Sequence, residues 1–326
     1  MYIPDNIKKI IEPFAGNGDL LNFINNNLEI EKELYDIEPK KDYIIKRNTI
    51  LDPPDYNNKF ILTNPPYLAR NKSIDKSLYD KYKVNDLYKC FIIELLTNKC
   101  LGGILIIPLN FWCSIRNTDI ELRKNFLEIY EIILLNIFEE QVFKDTTYTI
   151  CSFQFELKKD NINKEINIII YPYKINIKTE LNKNNNYMIG GSIYNLHILN
   201  KYKINRITSK NINNQNKTNI LVKCIDDNKD NKIKLSLVND NEIYIDNTSN
   251  QSSRTYATLI IEPKIDKEKQ IKLVELFNNY LNDERIKYNS LFLTNYRESK
   301  KDIARKRISF DLVYLICSYI LENFIA

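Results

Sequence analysis

The sequence predicts an α/β fold: a Rossmann-like, doubly wound sheet with helices on both faces, joined to a smaller α/β or mostly β domain. Three stretches carry that expectation. Phe60-Ile61-Leu62-Thr63 is a short continuous apolar run, the mark of a strand buried on both faces. It is stopped by Asn64-Pro65-Pro66-Tyr67, because a proline pair cannot continue a central sheet. Ile10-Ile11-Glu12-Pro13-Phe14-Ala15-Gly16-Asn17-Gly18-Asp19-Leu20-Leu21 runs from an apolar pair through an acidic residue and two glycines into a helical start. That is how a first strand turns into a loop whose backbone approaches a ligand closely. From Lys158 the character changes to short alternating strands broken by Asn- and Lys-rich runs.

Taken in order, a strand ends near Glu12, and a helix starting at Asn17–Asp19 buries Leu20, Leu21, Phe23 and Ile24, with Asp19 complementing its positive end. Residues 31–39 read as a second strand and its exit, 43–48 as a third, and 60–63 as the buried fourth. Asp52-Pro53-Pro54-Asp55 has no apolar strand leading into it and reads as a turn. Residues 68–85 form a long polar loop, of the kind that is more often functional than idle. Apolar positions 87, 88, 91, 92, 95 and 96 have helical spacing, and 104–108 is again a continuous apolar strand. Trp112, just beyond it, reads as a core or rim residue. Thr118 and Asp119 cap a helix to about Tyr130, and strands at 132–138 and 150–155 flank a hairpin-like connection.

Composition narrows the function classes. The chain has 326 residues, 44% of them hydrophobic, enough for one large domain or two ordinary ones. Its net charge of +5 is a mild bias towards polyanions. Six widely spread cysteines without a C-x-x-C argue against a zinc site or a disulfide framework, and predict reduced thiols in a cytoplasmic setting. The single histidine, His197, makes neither a metal site nor a recognisable base, so no metal is expected. No run of about 18 apolar residues occurs, so no membrane span is expected.

The chemistry points to the proline turn. An amide side chain (Asn64), a carbonyl on a residue with no N–H (Pro65) and an aromatic face (Tyr67), held rigid by Pro66, suit the exocyclic amine of a nucleobase. Asn64 and Pro65 each accept one amine hydrogen, and Tyr67 stacks on the ring. Asp36 follows the glycine loop at about the distance where doubly wound folds place a ribose-binding acid, with Glu38 as its competitor. Arg70 and Lys72 read either as phosphate contacts or as a solvated pair.

These residues resemble the S-adenosylmethionine-dependent N6-adenine DNA methyltransferases of the NPPY type, which occur in restriction–modification systems. Glu12–Leu21 is similar to their cofactor motif and Asn64–Tyr67 to their catalytic motif. Asp86-Leu87-Tyr88, Gly102–Pro108 and Phe143–Tyr148 fall in the same order. The similarity is good over 8–157 and thin from 158 to 285. It implies a methyltransferase sheet over 1–157, in which Glu12, Pro13, Phe14, Ala15, Gly16, Gly18, Asp36, Asn48 and Asn64 bind S-adenosylmethionine. Asn48 stands where the family has an acidic residue bonding the cofactor's adenine. Asn64, Pro65, Pro66 and Tyr67 would be catalytic, and Tyr148 would pack against the flipped base. The partners implied are double-stranded DNA and a cognate restriction endonuclease, in the cytoplasm of a bacterium or of a virus-infected host. Rival substrates of the same catalytic type are RNA adenine, cytosine N4 and protein glutamine. The rival of another class is a non-catalytic DNA-binding subunit.

Residues 158–285 are expected to form the target-recognition domain, with strands at 166–171, 220–225, 233–237 and 242–245 and a turn at Gly190-Gly191-Ser192. Ser309 is placed to cap a helix with apolar positions 312, 313, 315, 316 and 320. In the family a similar capped helix precedes the glycine loop, and residues 1–9 are too few to carry it. Residues 286–326 are therefore expected to return to the catalytic domain as a circularly permuted cofactor motif, packing beside residues 10–25. Arg297, Arg305 and Arg307 supply a basic patch for DNA.

Overall fold

The computed structural model describes residues 1–24, 29–159, 164–226, 232–246, 255–297 and 305–325. They form two compact units, one of residues 1–142 and 148–182, the other of 143–147 and 183–326. The expected boundary at 157/158 is thereby moved to 182/183.

The first unit holds a nine-stranded sheet. Its strands are β1 (Lys9–Glu12), β2 (Glu31–Asp36), β3 (Ile45–Lys46), β4 (Phe60–Thr63), β5 (Gly102–Pro108), β6 (Tyr130–Phe138), β7 (Ile150–Leu157), β8 (Ile166–Tyr171) and β9 (Ile175–Thr179), in the order β3-β2-β1-β4-β5-β7-β6-β8-β9. The run from β3 to β5 is parallel throughout. The antiparallel strand β7 lies between β5 and β6. Strand β8, read from sequence as the start of the second domain, instead pairs in parallel with β6.

Side-chain alternation gives the sheet two cores. Ile10 and its register partner Phe60 lie on one face with Ile7, Ile24 and Leu62. The other face is aromatic and is covered from the β4–β5 and β5–β6 connections, which contain α1 (Ser77–Tyr82), α2 (Leu87–Thr97), α3 (Asn110–Cys113) and α4 (Asn117–Ile129). Phe111 packs edge-on against Trp112 and stacks with Phe153, and Phe126 contacts Tyr130 and Phe155. Each such pair adds about 0.5–1.5 kcal/mol beyond area burial. Trp112 is fully buried, a core residue. The expected cap at Thr118 and Asp119 is not made: α4 starts at Asn117 with Arg116 at its N-cap and no side-chain cap bond, and Asp119, inside the first turn, instead forms a buried ion pair with Lys89 of α2 that ties the two helices together.

Gly103 is where this packing admits no side chain. A Cβ there would stand 2.5 Å from the Ile61 carbonyl oxygen and 3.0 Å from the Phe155 ring. The helix expected after the glycine loop is, among the described residues, only a 3-10 turn, Asp19–Phe23. Ile24 is buried and Leu20 and Leu21 half-buried, whereas the Phe23 side chain lies outside the described residues.

The second unit contains β10 (Lys203–Arg206), β11 (Lys217–Lys223), β12 (Ile225–Asp226), β13 (Lys234–Leu237), β14 (Tyr256–Glu262), α5 (Lys267–Tyr288), β15 (Thr294–Arg297), β16 (Arg305–Arg307) and α6 (Phe310–Phe324). Strands β10-β14-β11-β13 make an antiparallel sheet, and β12-β16-β15 a small second one. The strand expected at 242–245 is absent among the described residues; a 3-10 turn at Asp240–Glu242 precedes an extended segment.

Helix α5 buries Leu273, Phe277 and Leu281, one residue every four, and Asp266 caps it by accepting the Lys269 N–H. Its Asn278 amide accepts the Leu235 N–H and donates to the Leu235 carbonyl, fixing β13. Ser309 does cap α6, accepting the Leu312 N–H at 3.2 Å. That helix packs on α5, β10 and the 3-10 turn Gly191–Asn195, so residues 305–325 cluster with the second unit instead of returning to the first. No helix among the described residues is long and apolar enough to cross a membrane.

Candidate functional site

Four adjacent parallel strands end at one edge of the first sheet. In the order β3-β2-β1-β4 their exits carry Asn48, Asp36, Glu12 and Asn64. Strand order reverses between β1 and β4, because the chain runs from β1 to β2 on one side and later returns to the other side as β4. Open α/β sheets bind ligands in the crevice at such a reversal, outside the carboxyl ends of the strands.

The loop after β1 is held by its own backbone. Ala15 N–H donates to the Tyr35 carbonyl at 2.8 Å, and Gly18 N–H to the Ala15 carbonyl at 2.7 Å. Gly16 N–H donates to Asp36 Oδ2 at 2.8 Å, and the other oxygen of Asp36 accepts the Glu38 N–H. Asp36 thus fixes the loop, while the Glu38 side chain is exposed beside Lys40. Gly16 has φ +53°, and a Cβ built on it would meet nothing within 4 Å. Phe14 packs edge-on against Phe91 at 5.1 Å. Thr49 Oγ donates to the Pro13 carbonyl at 2.9 Å and joins the β3 exit to the β1 exit. The exposed Tyr43 lays its hydroxyl 3.0 Å from the point a Gly18 Cβ would occupy. No motif in the sequence marked Thr49 or Tyr43.

Asn48 departs from expectation. Its side-chain oxygen accepts the N–H groups of Ile50 and Leu51 at 3.3 and 3.2 Å, so the lone pairs assigned to a ligand amine serve a local turn.

Glu12 is the electrostatic centre of the site. It is buried, and its Oε2 has no hydrogen-bond partner. Burial above all, then the charges of Asp19 and Asp36, push its carboxyl up to about 8. The native state therefore holds a proton that the unfolded chain releases near pH 4.5, and stability falls as pH rises from there towards 8. We expect ~2–4 kcal/mol of such loss at most. In Glu12→Gln this part of the slope should vanish, making the variant the more stable protein at pH 8. Chemical denaturation at pH 5, 6.5 and 8 measures it, and parallel slopes for the two proteins would remove Glu12 as the source.

The proline turn follows β4, whose four residues are all buried. Pro65 is buried, Asn64 and Tyr67 are half-buried, and Pro66 is exposed. The Tyr67 hydroxyl lies against the Asn64 side-chain oxygen and also 2.7 Å from the Ile106 carbonyl of β5. Its ring stands edge-on to the buried Tyr88 at 6.2 Å. Tyr148 comes to the same edge because β7 runs antiparallel to β5: Ile150 pairs with Pro108, and Leu109 N–H donates to the Thr149 carbonyl. Tyr148 is among the groups acting electrostatically on the Tyr88 hydroxyl.

Of the expected phosphate contacts, Arg70 forms an exposed ion pair with Asp80 at 2.8 Å, and Lys72 is exposed. Arg297 and Arg305 pair across β15 and β16, with side chains outside the described residues. Arg307, half-buried, lies near Cys224. Basic side chains outnumber acidic ones in the second unit, and the reverse holds in the first. Among the described residues no group of three or more His, Cys, Asp or Glu side chains is arranged to hold a metal.

The sequence matches no protein-family model and no curated protein. Solved structures with some similarity include the type IIG restriction endonuclease BpuSI, at 14% identity and TM-score 0.44, over 66% of this chain and 35% of that one. A methyltransferase subunit of a type I restriction–modification system from Streptococcus thermophilus gives 15% and 0.39, over 53% and 45%. The type IIL restriction–modification enzyme MmeI in complex with DNA gives 13% and 0.40, over 66% and 40%. The chain spans less than half the length of each of these three.

Proposed function

We propose that this chain transfers a methyl group from S-adenosylmethionine to the N6 amine of adenine in DNA. The observation that carries the reading is the placement of Asn64-Pro65-Pro66-Tyr67 at the end of β4, beside the glycine loop of β1, where the strand order reverses. A nucleobase-amine acceptor set and a loop suited to close ligand approach leave neighbouring strands there, at one edge of the sheet.

The residues present fit the cofactor. It supplies an electrophilic methyl group on a sulfonium and also carries an ammonium, so it suits a loop where the charges of Asp19 and Asp36 act on the buried Glu12 and one oxygen of Glu12 is unpartnered. Glu12, Gly16 and Asp36 would hold it.

Asn64 and Tyr67 would act on the base. The adenine amine is a poor nucleophile because its lone pair is delocalised into the ring. Accepting its two hydrogens on Asn64 Oδ1 and the Pro65 carbonyl favours a pyramidal nitrogen, so catalysis is orientation and electrostatics. A phenol has a single proton to donate. When Tyr67 gives it to the Ile106 carbonyl, the phenol oxygen can take an N–H from a turned Asn64 amide, which frees Oδ1 for the substrate. A paired base cannot reach the crevice, so it must flip out, at about a few kcal/mol. The basic second unit would read the flanking sequence and meet phosphates.

The test is transfer of labelled methyl from S-adenosylmethionine to unmethylated DNA, RNA and protein in parallel, with the labelled nucleoside identified after digestion. Label in N6-methyladenine from DNA is the expected result. Label in RNA, N4-methylcytosine or glutamine would move the assignment to that substrate. Absence of label in all, with DNA still bound, would make the chain a binding subunit.

A further inference from the structure

We infer that the face of the β10-β14-β11-β13 sheet turned away from α6 receives the phosphate backbone of duplex DNA, an assignment that rests on DNA being the substrate in the reading above. Its contacts are the ammonium groups of Lys203, Lys217 and Lys234.

Side chains directly opposite each other in a ladder share a face, as do positions two apart along a strand. Arg206 lies over the Phe310 ring of α6 at 4.8 Å, so Arg206 and Ile204 face the helix, and Lys203 and Asn205 face away from it. In β14, Glu262 is opposite Lys203 and Ile260 is opposite Asn205, so Thr258 and Tyr256 belong to the same outer face. Lys217 is opposite Ile260, Leu221 opposite Thr258 and Lys223 opposite Tyr256, so the bulge in β11 leaves all three on this face. Lys234 is opposite Lys223. Lysines from three strands thus share one face, with Glu262 the one acidic strand residue among them. Lys223 is buried, whereas Lys203, Lys217 and Lys234 are exposed and form no ion pair among the described residues.

The exposed lysines form a diagonal stripe. From β10 to β13 is three strand spacings, about 14 Å, and from the level of Glu262 to that of Tyr256 is six residues, about 20 Å, so the stripe is about 25 Å long. That length matches about seven base-pair rises of ~3.4 Å. At the Lys234 end stand the rings of Tyr244 and Tyr256, 6.1 Å apart, with the Tyr244 N–H donating to Thr258 Oγ at 2.9 Å. Acidic groups of the segment that follows β13 are already engaged: Asp240 accepts the Asn219 amide at 2.7 Å, Glu242 accepts the Asn239 N–H at 3.0 Å, and Asp246 pairs with Arg206 at 3.5 Å. A basic stripe along one face is the footprint of a polyanion partner. Lysines on the edge strands β10 and β13 also deter strand pairing between molecules, but Lys217 is on an interior strand, where that role does not arise. Helix α5, by contrast, mixes its signs, with Lys272 paired to Glu275 at 3.4 Å.

The test is the salt dependence of binding of the full chain to a short unmethylated DNA duplex. Each lysine–phosphate contact adds about 0.9 to the slope of log K against log salt. The triple variant Lys203→Gln, Lys217→Gln, Lys234→Gln should therefore flatten the slope by about 2.7 and weaken binding at least about tenfold at ~0.15 M salt. Lys267→Gln, Lys272→Gln, Lys287→Gln removes the same charge from exposed positions of α5 and should leave the slope within about one of the wild type. All six positions are exposed, so both variants should keep the wild-type Tm. A wild-type slope in the sheet variant overturns the inference, and if that variant also self-associates, its lysines only protect the sheet edges. Equal flattening in both variants overturns it too, by placing the effect in net charge. A chain that binds duplex DNA with the expected slopes and methylates nothing refutes the methyl-transfer reading and upholds this surface, whereas a chain that binds no duplex refutes both.

Discussion

Asn64→Ala should bind S-adenosylmethionine as the wild type does and lose methyl transfer by about 10²–10³-fold, the usual cost of removing one preorganised polar contact to the reacting group. The structure gives a reason to expect a folded variant. Asn64 is only half-buried, and the Tyr67 hydroxyl it contacts also reaches the Ile106 carbonyl. Removing the amide therefore leaves the phenol proton with an acceptor and costs little stability. The glycine loop belongs to another strand, and its backbone bonds run to Tyr35 and Asp36 rather than to the proline turn. Single-turnover transfer and calorimetric binding of the cofactor measure the two effects separately. Turnover above a tenth of wild type would remove Asn64 from catalysis, and parallel loss of binding and turnover would place it at the cofactor instead.

The parts of the site that were legible in the sequence are those fixed by backbone chemistry. Pro65-Pro66 could only end a strand, and Gly16 takes a positive φ in a turn, so the ends of β4 and β1 could be read locally. That these strands are neighbours followed from the doubly wound pattern, and β1 does pair with β4. Side-chain choices set by three-dimensional neighbours were not legible. Asn48 faces a local turn because the N–H groups of Ile50 and Leu51 need an acceptor. The Lys89–Asp119 pair joins helices thirty residues apart in sequence, and neither residue carries a sign of its partner.

The second half was read less well for a related reason. Strand β8 has the short alternating pattern of the recognition-domain strands, yet hydrogen bonding to β6 gives it to the first sheet. Helix α5 had its signals, an Asp266 cap and buried positions four apart, but they sit in a lysine-rich segment of weak amphipathic contrast. The α6 cap was legible and its destination was not, because an apolar stripe specifies burial without specifying the partner.

Gly16→Val should lower affinity for S-adenosylmethionine at least about a hundredfold while the chain still folds. At φ +53° a β-branched residue is strained by ~1–2 kcal/mol or more. That strain is local, since a Cβ at this position would meet no atom within 4 Å. Stability should therefore fall by a few degrees in Tm, far less than a core substitution would cost. Under the proposed function the open space is where the cofactor approaches the backbone, so a branched side chain there removes binding outright. Gly103→Ala is the contrasting case. Its Cβ would stand 2.5 Å from a backbone oxygen of β4, so it should destabilise the sheet strongly without a selective loss of cofactor affinity in whatever fraction stays folded. Thermal melts with and without S-adenosylmethionine distinguish the two. The Gly16 variant should lose the ligand-induced rise in Tm and keep most of its own stability, and the Gly103 variant should do the opposite. A Gly16 variant that keeps the full ligand-induced rise would take the glycine loop out of the cofactor site.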